Sequence, residues 1–159
     1  MRLWIKQKIF SWNDRFAVKN EEGVECFLVE GEFFSFGKRL HIMSADGQEV
    51  AMVQQKIWSF LPRFYISVGG EPTAEIVKKM TLFYPRYTIE GLNWEINGDF
   101  FDHDYVITQK GIPVVSINKA WMTWGDCYML DINESSNVVS ALAVVLAIDC
   151  VAAQANTNT

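Results

Sequence analysis

The sequence predicts a mainly β fold, a closed twelve-stranded barrel that arises by internal duplication, with two six-strand halves around a hydrophobic C-terminal α-helix. Three observations lead to this prediction. Sequence blocks recur in the same order along most of the chain, each copy has the periodicity of strands, and the C-terminal segment is apolar on every side. A chain of 159 residues lies in the size range of a single domain.

The internal repeat is most visible where VEGEFFSFG at 29–37 returns as INGDFFDHD at 96–104. The flanking matches are RFAV at 15–18 with RYTI at 86–89, IKQKIF at 5–10 with VKKMTLF at 77–83, and DGQEVAMVQQKIWSF at 46–60 with KGIPVVSINKAWMTW at 110–124. The offset between matched blocks drifts, as insertions in surface turns would cause. Because four blocks keep their order, the chain is predicted to contain two copies of one folding unit, at about 1–70 and 71–132.

Strand signals fill both copies. Runs such as RFYISV and RYTIE are rich in aromatic and β-branched residues, and NWEIN places Trp94 and Ile96 on one face. Turn residues such as Asp46-Gly47 and Gly69-Gly70 separate the runs. The predicted strands are 2–9, 14–19, 25–30, 39–44, 49–58, 63–68, 73–81, 86–90, 93–97, 104–109, 113–121 and 127–132.

The C-terminal segment NVVSALAVVLAIDCVAAQ predicts a helix over about 136–154, with Ser135, Ser136 and Asn137 as capping candidates. A helix that is apolar all round must be buried on all sides. Its clean apolar run ends after Ile148, short of the about 20 residues that a membrane span needs. Burial inside the barrel is therefore preferred and a membrane span is the alternative, since twelve strands leave room for a helix. Residues 1–154 are predicted to form the domain and 155–159 a flexible tail.

Composition excludes several classes of protein. Half of the residues are apolar, which excludes a disordered chain, and the net charge of −5 argues against a nucleic-acid partner. Three cysteines without a C-x-x-C spacing, Cys26, Cys127 and Cys150, fit a reducing compartment and buried apolar positions. Lys6 and Lys8 interrupt the stretch that a signal peptide would need. The expected location is cytoplasmic, with peripheral membrane association as an alternative.

Several of these blocks resemble the LURP-one-related family, within the tubby C-terminal-like superfamily that also includes phospholipid scramblases. The resemblance rests on the G-[ED]-F-F block after an aromatic-rich strand, DG-x-x-V-A at 46–51, KG-x-P-V-V-S-I-N-K at 110–119 and AVVLAID at 143–149. It covers nearly the whole chain and implies a twelve-stranded barrel around a C-terminal helix. Tubby domains bind phosphoinositides and scramblases act on phospholipids with calcium, although no lipid-binding motif of those relatives matches this chain residue by residue.

Catalytic and metal-binding patterns are not found in the sequence. His41 and His103 are the only histidines, and His41 lies in the strand RLHIM, where a structural residue with one hydrogen bond is expected. The acidic cluster of Asp99, Asp102 and Asp104 lacks the spacing and the central glycine of an EF-hand. It is interpreted as a solvated turn, with calcium binding as the alternative. No catalytic residue, metal or cofactor is predicted.

Basic side chains are the candidate ligand-binding residues: Lys6, Lys8, Lys38, Arg39, Lys78 and Lys79. A domain that binds anionic headgroups would place several such side chains around one phosphate. The alternative, that lysines on exposed strands prevent aggregation, is preferred. Arg15 and Arg86 occupy equivalent positions of the repeat, for which a symmetric structural role is the simpler explanation.

Two further features concern burial. Trp58, Trp121 and Trp124 fit core packing better than a stacking platform or a membrane-interface belt. Asp149, near the end of a buried helix, requires a partner such as a barrel-lining lysine or arginine or a backbone donor. A structural polar contact at a barrel mouth is predicted there.

A barrel filled by its own helix has no room for a sizeable substrate, so any site lies on the outer wall or at a mouth. The sequence therefore favours a non-enzymatic binding module for an anionic phospholipid headgroup or a protein partner. A scramblase-like, lipid-handling protein and an enzyme with a site at a barrel mouth are the alternatives. The ligand, the biological process and the oligomeric state do not follow from the sequence.

Overall fold

The structure is a computed structural model that describes residues 1–6, 15–34, 37–79, 86–122 and 125–157. It contains twelve strands and one helix. The strands are β1 (Arg2–Lys6), β2 (Arg15–Lys19), β3 (Glu25–Phe34), β4 (Gly37–Ser44), β5 (Glu49–Gln55), β6 (Arg63–Val68), β7 (Glu71–Lys79), β8 (Arg86–Glu90), β9 (Trp94–Asp99), β10 (Asp104–Gln109), β11 (Ile112–Met122) and β12 (Gly125–Ile132); the helix is α1 (Val138–Thr157). All twelve predicted strands are present, with bounds that differ by a few residues.

The strands form a closed antiparallel barrel in which each strand pairs with its neighbours along the chain. Pairing of β1 with β12, from Arg2↔Asp131 to Lys6↔Cys127, closes the barrel. Odd-numbered strands therefore end, and even-numbered strands begin, at the same mouth. We call this the upper mouth and the opposite one the lower mouth. Because β12 ends at the lower mouth, α1 runs from the lower mouth to the upper one.

The repeated sequence blocks fall on strands of the same rank in the two halves. The described residues of the block at 29–37 lie on β3 and the start of β4, and the block at 96–104 lies on β9, its turn and the start of β10. Gly98 in the second block has a φ of 116°, and a Cβ placed there would lie 2.6 Å from the Asp104 carbonyl oxygen. This close approach requires glycine, because any side chain would collide with the backbone of β10.

The interior is filled by α1. Residues 141–148 of the helix are between 0 and 1% exposed, and inward-facing strand residues such as Ile42, Phe64 and Ile107 pack in the same cluster. Cys127 and Cys150 are buried, while Cys26 is half-buried. The prediction of a helix inside a closed barrel is confirmed. Within the residues described, no helix has the length and apolar character that crossing a bilayer requires.

The start of α1 is fixed by one of the predicted capping residues. Asn137 Oδ1 accepts a hydrogen bond of 2.9 Å from the Ser140 backbone N–H, which satisfies a donor that the first helical turn leaves free. The helix therefore begins at Val138 and extends to Thr157, three residues beyond the predicted end.

Candidate functional site

The two mouths of the barrel carry opposite charge. Most lysines and arginines lie on strand ends at the upper mouth: Lys6, Arg15, Lys38, Arg39, Lys56, Arg63, Lys78, Lys79, Arg86 and Lys119. The lower mouth carries a group of carboxylates: Glu21, Glu22, Glu25, Asp46, Glu49, Glu71, Glu95, Asp131 and Glu134. Acidic residues also lie at the upper mouth, among them Glu32, Asp99, Asp102 and Asp104, but the cations there outnumber them. In a chain that is acidic overall, this end of the described barrel is therefore the more basic one.

The predicted ligand-binding residues surround the upper mouth and do not converge on one point. Lys6 ends β1, Lys38 and Arg39 begin β4, and Lys78 and Lys79 end β7. In a barrel of twelve strands β1 and β7 lie on opposite sides. Lys8 lies outside the described residues. The strand order therefore distributes the described members around the rim and not around a single phosphate. Their role as ligand-binding residues stays a prediction.

Some of these cations already have partners. Lys79 Nζ lies 2.7 Å from Glu90 Oε1, and burial lowers the pKa of Lys38 while the nearby Cys150 thiol acts in the opposite direction. Lys6, Lys78 and Arg86 form no ion pair with any residue that the structure describes. These three are the side chains best placed to meet an external anion.

An aromatic loop projects from the same mouth. Trp58 and Phe60, in the connection between β5 and β6, are 98% and 104% exposed, and Ile57 beside them is also exposed. Trp58 has a φ of 62°, a left-handed conformation that is uncommon for a bulky residue. The predicted core position of Trp58 is wrong. The Trp121 side chain and Trp124 lie outside what the structure describes.

A buried polar cluster lies below the upper mouth. Asp149 on α1 accepts a hydrogen bond from the hydroxyl of Tyr128 on β12. His103, in the turn between β9 and β10, stacks on the Tyr128 ring at 4.3 Å between centroids, and its Nε2 lies 3.2 Å from Asp149 Oδ1. The predicted polar contact of Asp149 is present, but its partners are a tyrosine and a histidine instead of a lysine, an arginine or a backbone group.

Tyr128 and Asp149 are buried, while the His103 side chain is 18% exposed. Burial raises the pKa of Tyr128 well above its usual value, and the charge of Asp149 and their hydrogen bond act in the same direction. Burial likewise raises the pKa of Tyr105, whose hydroxyl has no hydrogen-bond partner in the described part of the chain. With both phenols protonated, the Tyr128 hydroxyl serves as a fixed donor that ties the end of α1 to the barrel wall.

The acidic cluster is a solvated turn, as interpreted from the sequence. Asp99 Oδ1 accepts hydrogen bonds from the backbone N–H groups of Phe101 and Asp102, at 3.0 and 3.2 Å. Asp102 pairs with Lys119 at 2.5 Å, and this hydrogen bond and charge lower the pKa of Asp102. Among the described residues, no group of His, Cys, Asp and Glu side chains is arranged to hold a metal ion.

His41 on β4 lies between two carboxylates on the outer wall. Its Nε2 is 2.8 Å from Glu32 and its Nδ1 is 2.5 Å from Glu49, so it has two hydrogen-bond partners instead of the predicted one. Partial burial acts to lower the pKa of His41, but the hydrogen bonds and charges of Glu49 and Glu32 outweigh it, so the pKa is raised. The contacts bind three neighbouring strands together.

This arrangement predicts a pH-dependent contribution to stability. Because the folded pKa is raised, the stabilisation is complete below the unfolded value of about 6.5 and is lost as pH rises through the folded pKa. The difference in free energy of unfolding between wild type and His41→Gln, from urea denaturation at pH 5.5 and 8.5, should be larger at pH 5.5. Equal differences at both pH values would show that folding does not raise the pKa of His41.

Comparison with known proteins places this barrel in a family. The family model of LURP-one-related proteins matches residues 1–149. The chain belongs to the LURP-one-related family. This LURP-one-related chain is 38% identical over 151 residues to the uncharacterized protein YxjI of Bacillus subtilis (strain 168), with 95% of this chain and 93% of that protein covered.

The barrel also resembles a solved structure from a plant. The X-ray structure of an Arabidopsis thaliana protein superimposes with a TM-score of 0.63 over 94% of this chain and 90% of that chain, at 12% sequence identity. At this identity the likeness concerns the fold alone. The LURP-one-related fold is thus shared, while the exposed aromatic loop and the charges at the upper mouth must be judged from this chain.

Proposed function

We propose that the upper mouth is a non-enzymatic binding face for a membrane surface that contains anionic phospholipid. The observation that carries this proposal is the combination of a basic rim with a fully exposed Trp58 and Phe60 at the same mouth. Tryptophan is enriched at membrane interfaces, where its ring reaches below the headgroups, and lysines and arginines are attracted to the negative surface potential.

The spread of the cations supports a planar partner. Side chains on opposite sides of a barrel rim can meet many headgroups of a bilayer at once, whereas one headgroup is too small to reach them all. The interior offers no alternative site, because α1 fills it with side chains that are completely buried. The acidic lower mouth would face away from the membrane, which gives the domain one preferred orientation.

Vesicle co-sedimentation tests the aromatic contribution. The protein is expected to sediment with vesicles of phosphatidylcholine and phosphatidylserine, and Trp58→Ala/Phe60→Ala should weaken this binding at least tenfold, since about 0.8 kcal/mol is lost per buried CH₂ group. The matched control is Val24→Ala/Ile112→Ala, which removes exposed apolar side chains from the lower mouth and should leave binding unchanged. An equal loss in both double variants would contradict the proposed orientation.

A second comparison tests the charges. Lys6→Gln/Lys78→Gln at the upper mouth should weaken binding by roughly tenfold or more, because each cation near an anionic surface contributes about 1 kcal/mol. Lys19→Gln/Lys110→Gln removes the same charge from the lower mouth and should have little effect. Binding to pure phosphatidylcholine as strong as to the anionic vesicles would exclude the electrostatic part of the proposal.

A dithionite assay on reconstituted vesicles separates surface binding from lipid scrambling. We expect no loss of lipid asymmetry in this assay.

A further inference from the structure

The barrel wall has an incomplete seam between β8 and β9. These strands pair only at Ile89↔Trp94, next to the turn that connects them. In the first half, the equivalent strand β2 pairs with β3 along the whole length of β2, from Arg15↔Glu30 to Lys19↔Glu25. The repeat matches Tyr87 with Phe16 and Ile96 with Val29, so it predicts that Tyr87 and Ile96 pair as Phe16 and Val29 do. They do not pair in the structure.

A cavity of about 470 Å³ occupies the place of the missing pairs. Arg86, Tyr87 and Thr88 of β8 line one side, and β9 lines the other from Trp94 to Gly98. Phe100 completes the lining, with its ring edge-on to Tyr87 at 5.0 Å between centroids. Thr88 Oγ1 is buried without a hydrogen-bond partner among the residues described. The two strands are therefore separated by an opening in the barrel wall, and the Thr88 side chain lines this opening.

The charges at the seam also depart from the repeat. Arg15 in the first half lies 2.9 Å from Glu30 on the facing strand, as a symmetric structural role requires. Arg86, its equivalent, forms no ion pair within the described part of the chain and lines the cavity. The residue that faces it in the repeat is Asn97 instead of a carboxylate, and Glu95, which lines the cavity from β9, forms no ion pair with Arg86. Within the described part of the chain, Arg86 therefore does not repeat the ion pair of Arg15.

We propose that this seam, residues 86–88 with 95–98, receives an extended segment of a partner polypeptide by strand addition. Facing strand edges that form no ladder present main-chain N–H and C=O groups, which another extended chain satisfies best. Tyr87 and Ile96 pack toward the core while Arg86 and Glu95 are exposed, so the segment should carry apolar side chains at alternate positions. An acidic residue at the end that meets Arg86 completes the match.

The geometry limits the segment further. Since β8 and β9 are antiparallel, an added strand runs parallel to one and antiparallel to the other. About three to four residues, or roughly 10–13 Å of extended chain, match the unpaired part of the seam, because Ile89 already pairs with Trp94. This site is on the wall of the barrel and shares Arg86 with the basic rim. Because its tests are done without lipid, it can fail or hold whatever the vesicle assays show.

Hydrogen exchange and peptide selection in the absence of lipid test the site. In the free protein, some backbone amides of residues 87–88 and 95–97 should exchange their hydrogens at least tenfold faster than any interior amide of the β2–β3 ladder. Selection of a phage-displayed library of random dodecapeptides against the protein should enrich alternating peptides with an acidic residue, and the bound peptide should slow exchange at the seam. Uniformly slow exchange in the free protein would overturn the proposal.

Matched variants identify the contact. Arg86→Glu should weaken binding of the selected peptides at least tenfold, whereas Arg15→Glu, at the equivalent position of the intact ladder, should leave it unchanged. N-methylation of either set of alternate peptide amides should abolish binding, because an inserted strand donates hydrogen bonds to β8 with one set and to β9 with the other. Failure to enrich any peptide, or peptides that bind both variants alike without protecting the seam, would refute strand addition.

Discussion

Ala147→Arg is expected to abolish the folded state. Ala147 is completely buried in the middle of α1, with the barrel wall on all sides. An arginine there brings an unpaired charge into the interior at a cost of several kcal/mol, and overpacking adds about 1–3 kcal/mol. Their sum is comparable to the whole stability of a domain, about 5–15 kcal/mol. Circular dichroism and urea denaturation should show no cooperative transition.

The control for this variant is Ala152→Arg. Ala152 lies on the same helix near the upper mouth and is only half-buried, so the guanidinium can extend to water. A cation near the C-terminal end of a helix also interacts favourably with the helix dipole. This variant should remain folded with a change in stability below about 1 kcal/mol. A soluble, cooperative barrel in Ala147→Arg would contradict the position of α1 inside the barrel.

The architecture could be predicted because it depends on repeated, local patterns. Strand periodicity and turn residues recur in both halves, so an error in one half could be checked against the other. The helix could be placed because it is apolar on every face, which leaves only a bilayer or the barrel as surroundings. A lone amphipathic helix would have carried no such information about what encloses it.

The candidate site was harder to predict, since it depends on departures from the repeat. Trp58 and Trp121 occupy equivalent positions, which favoured equal burial, yet Trp58 projects into solvent from a loop. The incomplete seam at β8 and β9 is likewise a difference between halves whose sequences match. Two copies of one pattern predict what they share, whereas the functional candidates lie where one copy has changed.

The arrangement of the cations at the upper mouth could not be predicted from the sequence for a related reason. The sequence identified the basic residues, but their arrangement around the upper mouth depends on which strand ends meet there. That required the strand order, from which the opposite placement of β1 and β7 follows. If the order of the strands had been known from the sequence, it would have predicted a ring of cations around the mouth instead of a single cluster.

Tyr128→Phe is the second variant with a large expected effect. The hydroxyl donates to Asp149, a carboxyl group that is 4% exposed inside the barrel. Removal of a buried partner of a carboxyl group leaves it without compensation, which costs about 2–4 kcal/mol. His103 would stay near Asp149 Oδ1 and so limit the loss. Urea denaturation at pH 7 should therefore show a lower midpoint with an unchanged slope.

Tyr105→Phe is the matched control, because Tyr105 is buried near the same carboxyl group, yet its hydroxyl has no hydrogen-bond partner in the described chain. Removing that hydroxyl should be neutral or stabilising. A double-mutant cycle with Asp149→Leu should give a coupling energy of at least about 1 kcal/mol for Tyr128 and a much smaller one for Tyr105. Equal coupling of both tyrosines would mean that general burial, and not the Tyr128 hydrogen bond, holds the end of α1 against the wall.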